Sequence, residues 1–497
     1  MSNSHNVLKQ NVQNIKDLLG NNNELIIRDI TIGKKTPINA VIIYVNGLAN
    51  EDLIDRDILK PLMLQVEEDL INITNIEECL CKKYITMSNV LIETDLNKVS
   101  ENIKRGKTAV ITENSSKFIV VNTPSEVHRS ISDPQNETSV RGPRDGFIED
   151  LEINISIMKK RIKDSNLVTE RFVLGRRSQT DAVLMYIDGI ADMNLVEKVK
   201  TKITSIDVDN IQASAYIEQF IEKHPFSIFP QSIATERPDR LQTKLMEGRI
   251  ALLLANTPFV ITFPTLFVEF FQTVEDYYQR TIVSTFIRIL RYLAAIIVII
   301  LPAIYITLVK FNAVLIPLEL IKTIIEASNG VVLTPFLSIL SMNLMVEFLR
   351  EGGLRLPPKI GQTLSVVGGI IIGDAAIASK FVSSTTLLIV GITTISTFLI
   401  PNYEMSHSIR LLSYPALVLA NWLGMLGVAL SLVFTLAYLC SLDSFGVPYF
   451  SFKKSDLKDT ILRAPLWMMN KNPKSIPNNN SIRQTDFRWK FWRKRNG

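Results

Sequence analysis

Three long uncharged runs in the C-terminal half constrain the fold of this chain more than any other feature. Residues 292–309, 381–403 and 411–442 contain no charged side chain. A helix needs roughly 20 apolar residues to cross the hydrocarbon layer of a bilayer, and each run approaches or exceeds that length. Residues 1 to about 245 instead mix charged and apolar side chains, as a soluble domain does. The sequence therefore predicts a soluble N-terminal half followed by an α-helical, polytopic membrane domain.

The soluble half contains an internal repeat. Residues 30–54 align without a gap with residues 172–196 at an offset of 142, which places Tyr44 on Tyr186. Each copy has a β-branched run that ends in Asn-Gly or Asp-Gly, a strand-and-turn signal, and acid-rich helical sequence follows. We therefore expect an α/β half made of two related subdomains. The apolar stretch 250–263 is predicted to be sheet, because its counterpart in the first copy is a soluble strand pair.

These patterns divide the chain into six segments, of which the fifth holds the predicted helical segments of the membrane. The segments are a flexible N-terminus (1–23), α/β subdomain 1 (24–140), a connecting helix (141–164), α/β subdomain 2 (165–275), the membrane domain (276–442, with helical segments at about 286–309, 331–349, 361–380, 383–401 and 411–440) and a basic tail (443–497).

The charge distribution predicts which side of the membrane each half occupies. Residues 441–497 carry twelve Lys and Arg against four Asp and Glu, a net charge of +8, whereas the whole chain is only +5. Basic residues concentrate on the cytoplasmic side of membrane proteins, and residues 1–30 contain no signal peptide. We therefore expect both the soluble half and the tail to be cytoplasmic.

The last residues of the tail alternate aromatic and basic side chains. Single-stranded nucleic acid can bind such a pattern, but its position a few residues beyond the bilayer favours a membrane-surface anchor instead. The predicted anchor consists of Arg488, Trp489, Lys490, Trp492 and Arg493.

With both ends on one side, the number of full crossings must be even, yet there are five candidate segments. Either 331–349 crosses only partly, or 411–440 is a hairpin bent about Gly424 and Gly427. The first alternative is favoured, because polar residues such as Asn343 lie inside 331–349 and are tolerated at depth only against protein or water.

A charge cluster lies between two of the apolar segments. It comprises Glu347, Arg350, Glu351 and Arg355, and Gly352-Gly353 follows as a predicted helix stop. Charge this close to hydrocarbon is unfavourable unless it is paired or hydrated. We expect the cluster to be a coupling or gating element at a pore or subunit interface; a salt-bridged loop between two spans is the alternative.

The next predicted helix carries small residues at intervals of about four, which lets helices approach closely in lipid. An acid in an apolar helix is by default a functional candidate, and pore lining or a buried pairing with Arg or Lys would both explain it. The predicted pore and packing residues are Gly361, Ser365, Gly369, Gly373 and Asp374.

No sequence pattern points to catalysis. The chain lacks the glycine-rich phosphate-binding and dinucleotide motifs and the common hydrolase motifs. Its four histidines have no metal-ligand spacing, and Cys79, Cys81 and Cys440 form neither a disulfide framework nor a metal site. We therefore expect neither an enzyme nor a cofactor or metal.

Long stretches of this sequence resemble the A subunits of GerA-type spore germinant receptors, and the resemblance extends from about residue 13 to 452. The stretches that carry it are FPQSIATERPDRLQTKLMEGRIALLLANTPFVITFPTLFVEFFQTVEDYYQR (229–280), EFLREGGLRLPPKIGQTLSVVGGIIIGDAAI (347–377), IPNYEMSHSIRLLSYPAL (400–417) and SFGVPYFSF (444–452).

The resemblance implies a function that residue patterns alone do not. Proteins of this kind act in the inner membrane of bacterial endospores, beside a transporter-like B subunit and a lipoprotein C subunit. They are thought to oligomerise into a ligand-gated channel for monovalent cations that opens early in germination. Two alternatives are a paralogous sporulation protein that assists solute release from the spore core, and a stand-alone secondary transporter. The transporter is disfavoured because the only repeat lies in the soluble half.

Overall fold

The computed structural model describes residues 2–19, 25–46, 48–70, 73, 75–113, 115–123, 133–451, 453 and 456–485, and within them the side chains of all but residues 2–6 and 358–367. The chain divides into two units, residues 1–128 and residues 129–497.

The first unit is built on a five-stranded antiparallel sheet with the order β1-β2-β4-β5-β3. Its strands are β1 (Leu25–Ile32), β2 (Ile38–Val45), β3 (Val90–Glu93), β4 (Thr108–Thr112) and β5 (Phe118–Val121). Its helices are α1 (Ser2–Leu19), α2 (Glu51–Leu53), which continues through a π-helical turn (Ile54–Leu59) into α3 (Lys60–Leu64), α4 (Ile76–Lys83) and α5 (Leu96–Lys104).

Both faces of this sheet are covered, because alternate residues of a strand point to opposite faces. Ile42 packs in a core with the helical residues that follow β2, whereas its neighbour Ile43 packs in a second core with α1 and α5. Leu8 and Ile15 of α1 are buried in that second core. The N-terminal segment predicted to be flexible therefore contains a docked helix, which its apolar spacing of seven residues explains.

The second unit begins with a sheet of the same topology, in the order β6-β7-β9-β10-β8. Its strands are β6 (Leu167–Leu174), β7 (Thr180–Ile187), β8 (Ile233–Thr235), β9 (Ile250–Leu254) and β10 (Val260–Phe263). Its helices are α6 (Leu151–Arg161), α7 (Met193–Thr204), α8 (Ser214–Ile221), α9 (Pro238–Met246) and α10 (Glu275–Tyr278), with a 3-10 turn at Phe267–Phe271. Helices α6 and α9 cover one face, and α7 and α8 cover the other.

The predicted repeat is confirmed at the level of strands and turns. Tyr44 and Tyr186 occupy equivalent positions of β2 and β7, paired with the first strand of each sheet. Gly33 and Gly175, one in the hairpin turn of each copy, both adopt a positive φ, +91° and +86°, a conformation that favours glycine. Residues 250–263 form β9 and β10, as the repeat predicts, despite their apolar composition.

Seven helices follow the second sheet. They are α11 (Thr281–Lys310), α12 (Leu318–Ser328), α13 (Pro335–Arg355), α14 (Pro358–Ala378), α15 (Ser384–Phe398), α16 (Tyr403–Leu423) and α17 (Met425–Ser441). Among the described residues, α11 alone is long and apolar enough to cross a membrane by length and composition. Shorter apolar stretches lie in α14, α15 and α17.

The region 411–440 is not one helix. The chain breaks at Gly424, where φ is +59°, and the two halves pack against each other so closely that Gly427 lies against the backbone of α16. The other alternative, a partial segment at 331–349, stays a prediction. Helix α13 is continuous from Pro335, with the Thr334 side chain capping its first turn, and polar residues within it such as Asn343 and Glu347 line a small cavity between helices.

Helices α11, α16 and α17 each contact the second α/β subdomain at one end. Aromatic and aliphatic residues of the subdomain, such as Phe229 and Phe270, share one core with α11, α16 and α17. Ser408 near the start of α16 donates to the Ile228 carbonyl (2.6 Å), and Ser444 just after α17 donates to the Gln231 carbonyl (2.9 Å).

The opposite helix ends contact one another. Lys310 at the end of α11 donates to the carbonyl oxygen of Asn421 near the end of α16 (2.8 Å). The backbone of Val332, just before α13, bonds the carbonyl of Lys380, just after α14 (3.0 Å). Helix α12, which the sequence reading missed, lies between α11 and α13 and contains no buried residue.

The C-terminal segment returns to the second sheet. It forms a two-residue hairpin, β11 (Asp443–Ser444) and β12 (Val447–Pro448), and 3-10 turns at Asp456–Lys458 and Leu466–Met468. Asn479 then bonds the backbone beyond β7, through its amide to Ile190 and its side chain to Ala191, each at 2.9 Å. The part of the predicted tail that the structure describes is therefore a docked segment of subdomain 2.

Candidate functional site

Two members of the predicted charge cluster lie among the helices. Glu347 of α13 accepts two hydrogen bonds from one guanidinium nitrogen of Arg410 on α16, at 2.7 and 2.6 Å. A second arginine, Arg350, lies one helical turn from Glu347 at 3.4 Å. The other guanidinium nitrogen of Arg410 donates to Nδ1 of His407 at 2.6 Å. One carboxylate thus faces two guanidinium groups, and the cluster has an excess of positive charge.

Arg350 extends the cluster to a third helix. Its guanidinium donates to the Thr397 hydroxyl of α15 at 3.1 Å and lies over the Phe398 ring, 5.4 Å from the centroid. Both contacts favour a fixed position for this side chain. The side chains of Arg350 and Glu347 therefore connect α13 to both α15 and α16.

Cavities adjoin this cluster on two sides. A small cavity of about 30 Å³ lies between α11, α13, α15 and α16 and is lined by polar groups that include Asn343, Thr394 and Tyr414. A larger, open cavity of about 810 Å³ lies beside subdomain 2. Three residues line both cavities: Arg350, Thr397 and Arg410.

The other two members of the predicted cluster lie elsewhere. Glu351 and Arg355 form an exposed ion pair at 2.7 Å along α13, with side chains 63% and 78% exposed. The predicted helix stop at Gly352-Gly353 is wrong, because α13 continues to Arg355. The backbone hydrogen bonds of the helix compensate for the low helix propensity of the two glycines. The chain turns at Leu356, directly before Pro357 and Pro358.

The predicted small-residue helix exists as α14, and two of its predicted packing glycines have different surroundings within this chain. A Cβ atom at Gly369 would meet no atom within 4 Å, whereas one at Gly373 would lie 3.6 Å from Leu387 of α15. Asp374 is exposed and has no hydrogen bond or ion pair within the described part of the chain, so a buried pairing is not what the structure has. Gly361 and Ser365 lie outside the described side chains.

The predicted membrane-surface anchor also lies outside the described residues, which end at 485. Its members are Arg488, Trp489, Lys490, Trp492 and Arg493.

The sequence reading missed Arg410 as a member of the cluster. The sequence does mark Arg410 as unusual, because it is the one Lys or Arg of α16 and stands directly before the uncharged run 411–442. Nothing in the sequence, however, specifies which acid it meets 63 positions away.

A second buried charge network surrounds the first turns of α11. Asp276 is 2% exposed and accepts from Arg288 Nε (2.8 Å) and from Arg291 (2.9 Å). Arg288 also contacts the Asp459 carboxylate of the C-terminal segment at 3.0 Å. The structure shows that these arginines fasten α11 to both subdomain 2 and the C-terminal segment.

Tyr277 and Arg463 complete this network. The Tyr277 hydroxyl donates to the Asp459 carboxylate at 3.0 and 2.9 Å, and the Arg463 guanidinium donates to the Tyr277 carbonyl at 3.0 Å. Burial raises the pKa of Asp459 above its usual range, although the Arg288 charge opposes that rise. Burial likewise raises the pKa of the Tyr277 hydroxyl well above its usual value, so it is a donor at neutral pH.

Metal chemistry finds no support in the described part of the chain. It contains no group of three or more His, Cys, Asp and Glu side chains placed to hold a metal ion. The two charged clusters consist of arginine, carboxylate, hydroxyl and imidazole groups, an arrangement that suits fixed ion pairs and a hydrated polar path.

Comparison with known proteins identifies relatives over nearly the whole chain. Residues 13–475 match the family model of the Bacillus/Clostridium GerA spore germination protein. The chain is 36% identical to spore germination protein KA of Bacillus subtilis (strain 168), over 96% of this chain and 88% of that protein. It is 31% identical to spore germination protein GerLA of Bacillus cereus, over 95% of this chain and 96% of that protein.

One solved structure is also similar in sequence. The crystal structure of the N-terminal domain of the A subunit of the Bacillus megaterium spore germinant receptor GerK3 is 30% identical, covers 52% of this chain and 95% of its own, and superposes with a TM-score of 0.22. The family assignment rests on the whole-length matches: the chain belongs to the GerA family of spore germination proteins.

Proposed function

We propose that this chain is a membrane subunit of a nutrient germinant receptor, and that copies of it assemble into an ion-conducting channel that opens at the start of spore germination. The family membership supports the role in germination. The single observation that supports the channel is the uncovered half of α14, which leaves Gly369 and Asp374 without neighbours in the described chain.

An uncovered helix with an acid is unfavourable against lipid alone. A charged side chain at the centre of a membrane helix costs about 2.5–3.5 kcal/mol on insertion scales, and the cost is smaller for Asp374, which lies near the end of α14 at Ala378. The cost falls when the acid faces water or a partner subunit. A ring of copies that directs Asp374 toward a shared aqueous path would hydrate it, and Gly369 would allow neighbouring helices to approach. This arrangement combines homo-oligomerisation with cation conduction.

The helix ends support an even number of crossings. Helices α11, α13, α14, α15, α16 and α17 would cross in alternation, since the end of α11 contacts the end of α16 and the chain before α13 contacts the chain after α14. The C-terminal segment then returns to the side on which it contacts subdomain 2. In the inner membrane of the spore, the α/β subdomains would face the core, and α12 would lie on the outer surface.

The Glu347 cluster would couple subdomain 2 to the helices. It connects three helices, and its arginines line both the cavity beside subdomain 2 and the polar cavity between the helices. A movement of subdomain 2 would therefore act directly on Arg350 and Arg410. The transporter-like and lipoprotein partner subunits that the family resemblance implies would drive this movement. The tail would add contact with the lipid surface.

Spores that carry single substitutions test this proposal. Asp374→Asn should slow the release of monovalent cations after addition of nutrient, with normal amounts of protein in the spore membrane, because it removes the charge from the path. Glu347→Gln should alter the dose response, since Arg410 loses its carboxylate partner. Glu351→Gln is the matched control: it removes an acid one turn away on the same helix whose ion pair is exposed.

Two results would contradict the proposal. Cation release at the wild-type rate in the Asp374→Asn spores would remove α14 from the conducting path. Equal effects of Glu347→Gln and Glu351→Gln would show that the cluster among the helices has no special role in coupling.

A further inference from the structure

A third cavity, of about 400 Å³, lies away from the Glu347 cluster, between subdomain 2 and the C-terminal segment. Its lining comes from α9, from the 3-10 turn at Phe267–Phe271, from Tyr277 and from residues 456–483. Pockets that bind small molecules have volumes of about 300–1,000 Å³ and combine an apolar lining with a few placed polar groups. The cavity therefore has the size of a ligand site.

The acidic groups of this cavity already have partners. Glu247 lies between Arg249 (3.5 Å) and Arg483 (3.6 Å), and Glu269 contacts Arg249 and Lys244. The remaining two are also engaged: Asp459 contacts Arg288, and Asp456 accepts from the backbone of the chain near Ser475.

Basic groups of the same cavity are in excess. Lys458 and Lys471 line it and have no ion pair within the described part of the chain. Lys244 is largely buried, with Glu269 at 3.2 Å as its partner. Burial, and then the nearby Arg249 charge, lower the pKa of the Lys244 ammonium well below its usual value. An anion in the cavity would offset both effects, and, among the described residues, Lys458 and Lys471 supply the unpaired positive charge of the site.

Three buried side-chain atoms of the lining lack a hydrogen-bond partner among the described residues, and one of them, Glu269 Oε2, has only its ion pair with Lys244. The Thr460 hydroxyl and the Asn472 side-chain oxygen belong to residues that are 6% and 5% exposed, and neither atom has a partner among the described residues. A buried polar group without a partner costs about 1–3 kcal/mol. Such groups on the wall of a cavity are typical of a site that a ligand or water completes.

Part of the wall is apolar. Leu266, Val268, Met468 and Met469 belong to the lining together with the charged residues. A fully charged, compact anion such as inorganic phosphate would leave these side chains without contacts, whereas an anion that carries an apolar body would fill both parts.

We propose that this cavity binds a small organic anion, a carboxylate or phosphate with an apolar body, between Lys244, Lys471 and the Thr460 hydroxyl. The ligand would hold residues 456–474 against α9. Because Asp459 in that segment contacts Arg288 of α11, binding would stabilise the attachment of α11 to subdomain 2. The binding step does not depend on the proposed channel function.

Thermal unfolding of the purified full chain in detergent tests the site with four probes: benzoate, phenyl phosphate, inorganic phosphate and benzylamine. We expect the two organic anions to raise the unfolding temperature in a saturable manner, inorganic phosphate to have a weaker effect, and benzylamine to have none. Lys471→Met should lower the apparent affinity for benzoate by about tenfold, the equivalent of one charge-assisted hydrogen bond. Lys322→Met, on exposed α12, is the control and should leave the affinity unchanged.

Lys244→Met tests the buried ammonium, and Lys471→Met remains decisive if that variant does not fold. The proposal fails if neither organic anion raises the unfolding temperature, if benzylamine acts as well as benzoate, or if the Lys471 and Lys322 variants respond alike. It also fails if stabilisation occurs only with phosphatidylglycerol micelles, since the ligand would then be a lipid headgroup and not a soluble anion. If the protein binds benzoate normally but conducts no ions, the proposed channel function is refuted and the anion site is not.

Discussion

Replacement of Asp276 by asparagine tests whether the network at the start of α11 holds the helices to subdomain 2. Asp276 is the one carboxylate within reach of Arg291 among the described residues, and it shares Arg288 with Asp459. Removal of one partner of a buried ion pair typically costs about 3–5 kcal/mol, because it leaves an uncompensated buried charge. The lower end of that range applies here, since Arg288 keeps Asp459 and Arg291 keeps the Phe271 carbonyl at 3.0 Å.

The free energy of unfolding should fall by about 3 kcal/mol. This corresponds to a fall of about 6 °C or more in unfolding temperature, at the ~2 °C per kcal/mol typical of larger domains. Differential scanning fluorimetry of the purified full chain in detergent measures it. Limited trypsin digestion adds a local readout, because Arg280 at the junction is exposed and should be cleaved faster once α11 loosens.

Asp207→Asn is the matched control for this experiment. It removes the same charge from an ion pair with Arg176, in which both side chains are more than 60% exposed, and exposed pairs contribute little to stability. If the Asp276 and Asp207 variants unfold at the same temperature, or if cleavage at Arg280 does not accelerate in the Asp276 variant, the buried network does not hold the junction together.

Three further predictions concern other parts of the chain. Burial raises the pKa of Glu218 to about 8; because the folded state then binds a proton that the unfolded state has released, stability should fall by up to about 1.4 kcal/mol per pH unit between pH ~4.5 and ~8. Glu218→Gln should reduce this slope in urea unfolding, and the remainder belongs to groups such as Glu222, whose pKa burial also raises. Gly427→Ala should prevent the α16–α17 hairpin from closing, because its methyl group would overlap the backbone of α16, whereas Gly391→Ala has open space and should fold normally; yield of monodisperse protein compares the two. In a chain without its native cysteines, an impermeant maleimide should label a cysteine at Lys322 and not one at Lys474; the reverse pattern would contradict the six-crossing arrangement.

The α/β part could be predicted because each copy of the repeat can be compared with the other. An apolar strand such as 250–263 is ambiguous in isolation, yet its soluble counterpart one offset away resolved it. Turn glycines add a second constraint, since Gly33 and Gly175 need the same positive φ. The docking of α1 was not predicted, because a polar helix with a few apolar residues becomes ordered only when a sheet face is present to receive it.

The helical part was predicted less well, for identifiable reasons. An uncharged run such as 411–440 gives no signal of direction, so one glycine with positive φ at Gly424 decides between one helix and two. Helix α12 was missed because its charged residues interrupt the apolar run that a membrane span requires. Glu347 and Arg350 were recognised as unusual, but their partner Arg410 is supplied by tertiary contact, which sequence spacing along one helix does not report.

The two charge networks hold different helices near subdomain 2. Their placement affects how the chain could respond when a partner moves that subdomain. Asp276 and Asp459 hold the start of α11, while Glu347 holds the end of α13 to the start of α16. The Asp276 network is rigid only while every member is in place, because a buried charge without its partner is strongly unfavourable. The same penalty is smaller at Glu347, whose side chain is 34% exposed. A shift of subdomain 2 that strains one network would therefore be resisted until an alternative pairing becomes available. The Glu347 cluster is the more adaptable of the two, because its carboxylate is 34% exposed and is within reach of both Arg350 and Arg410. Asp276 is 2% exposed and is held by both Arg288 and Arg291, so we expect the start of α11 to remain the fixed point.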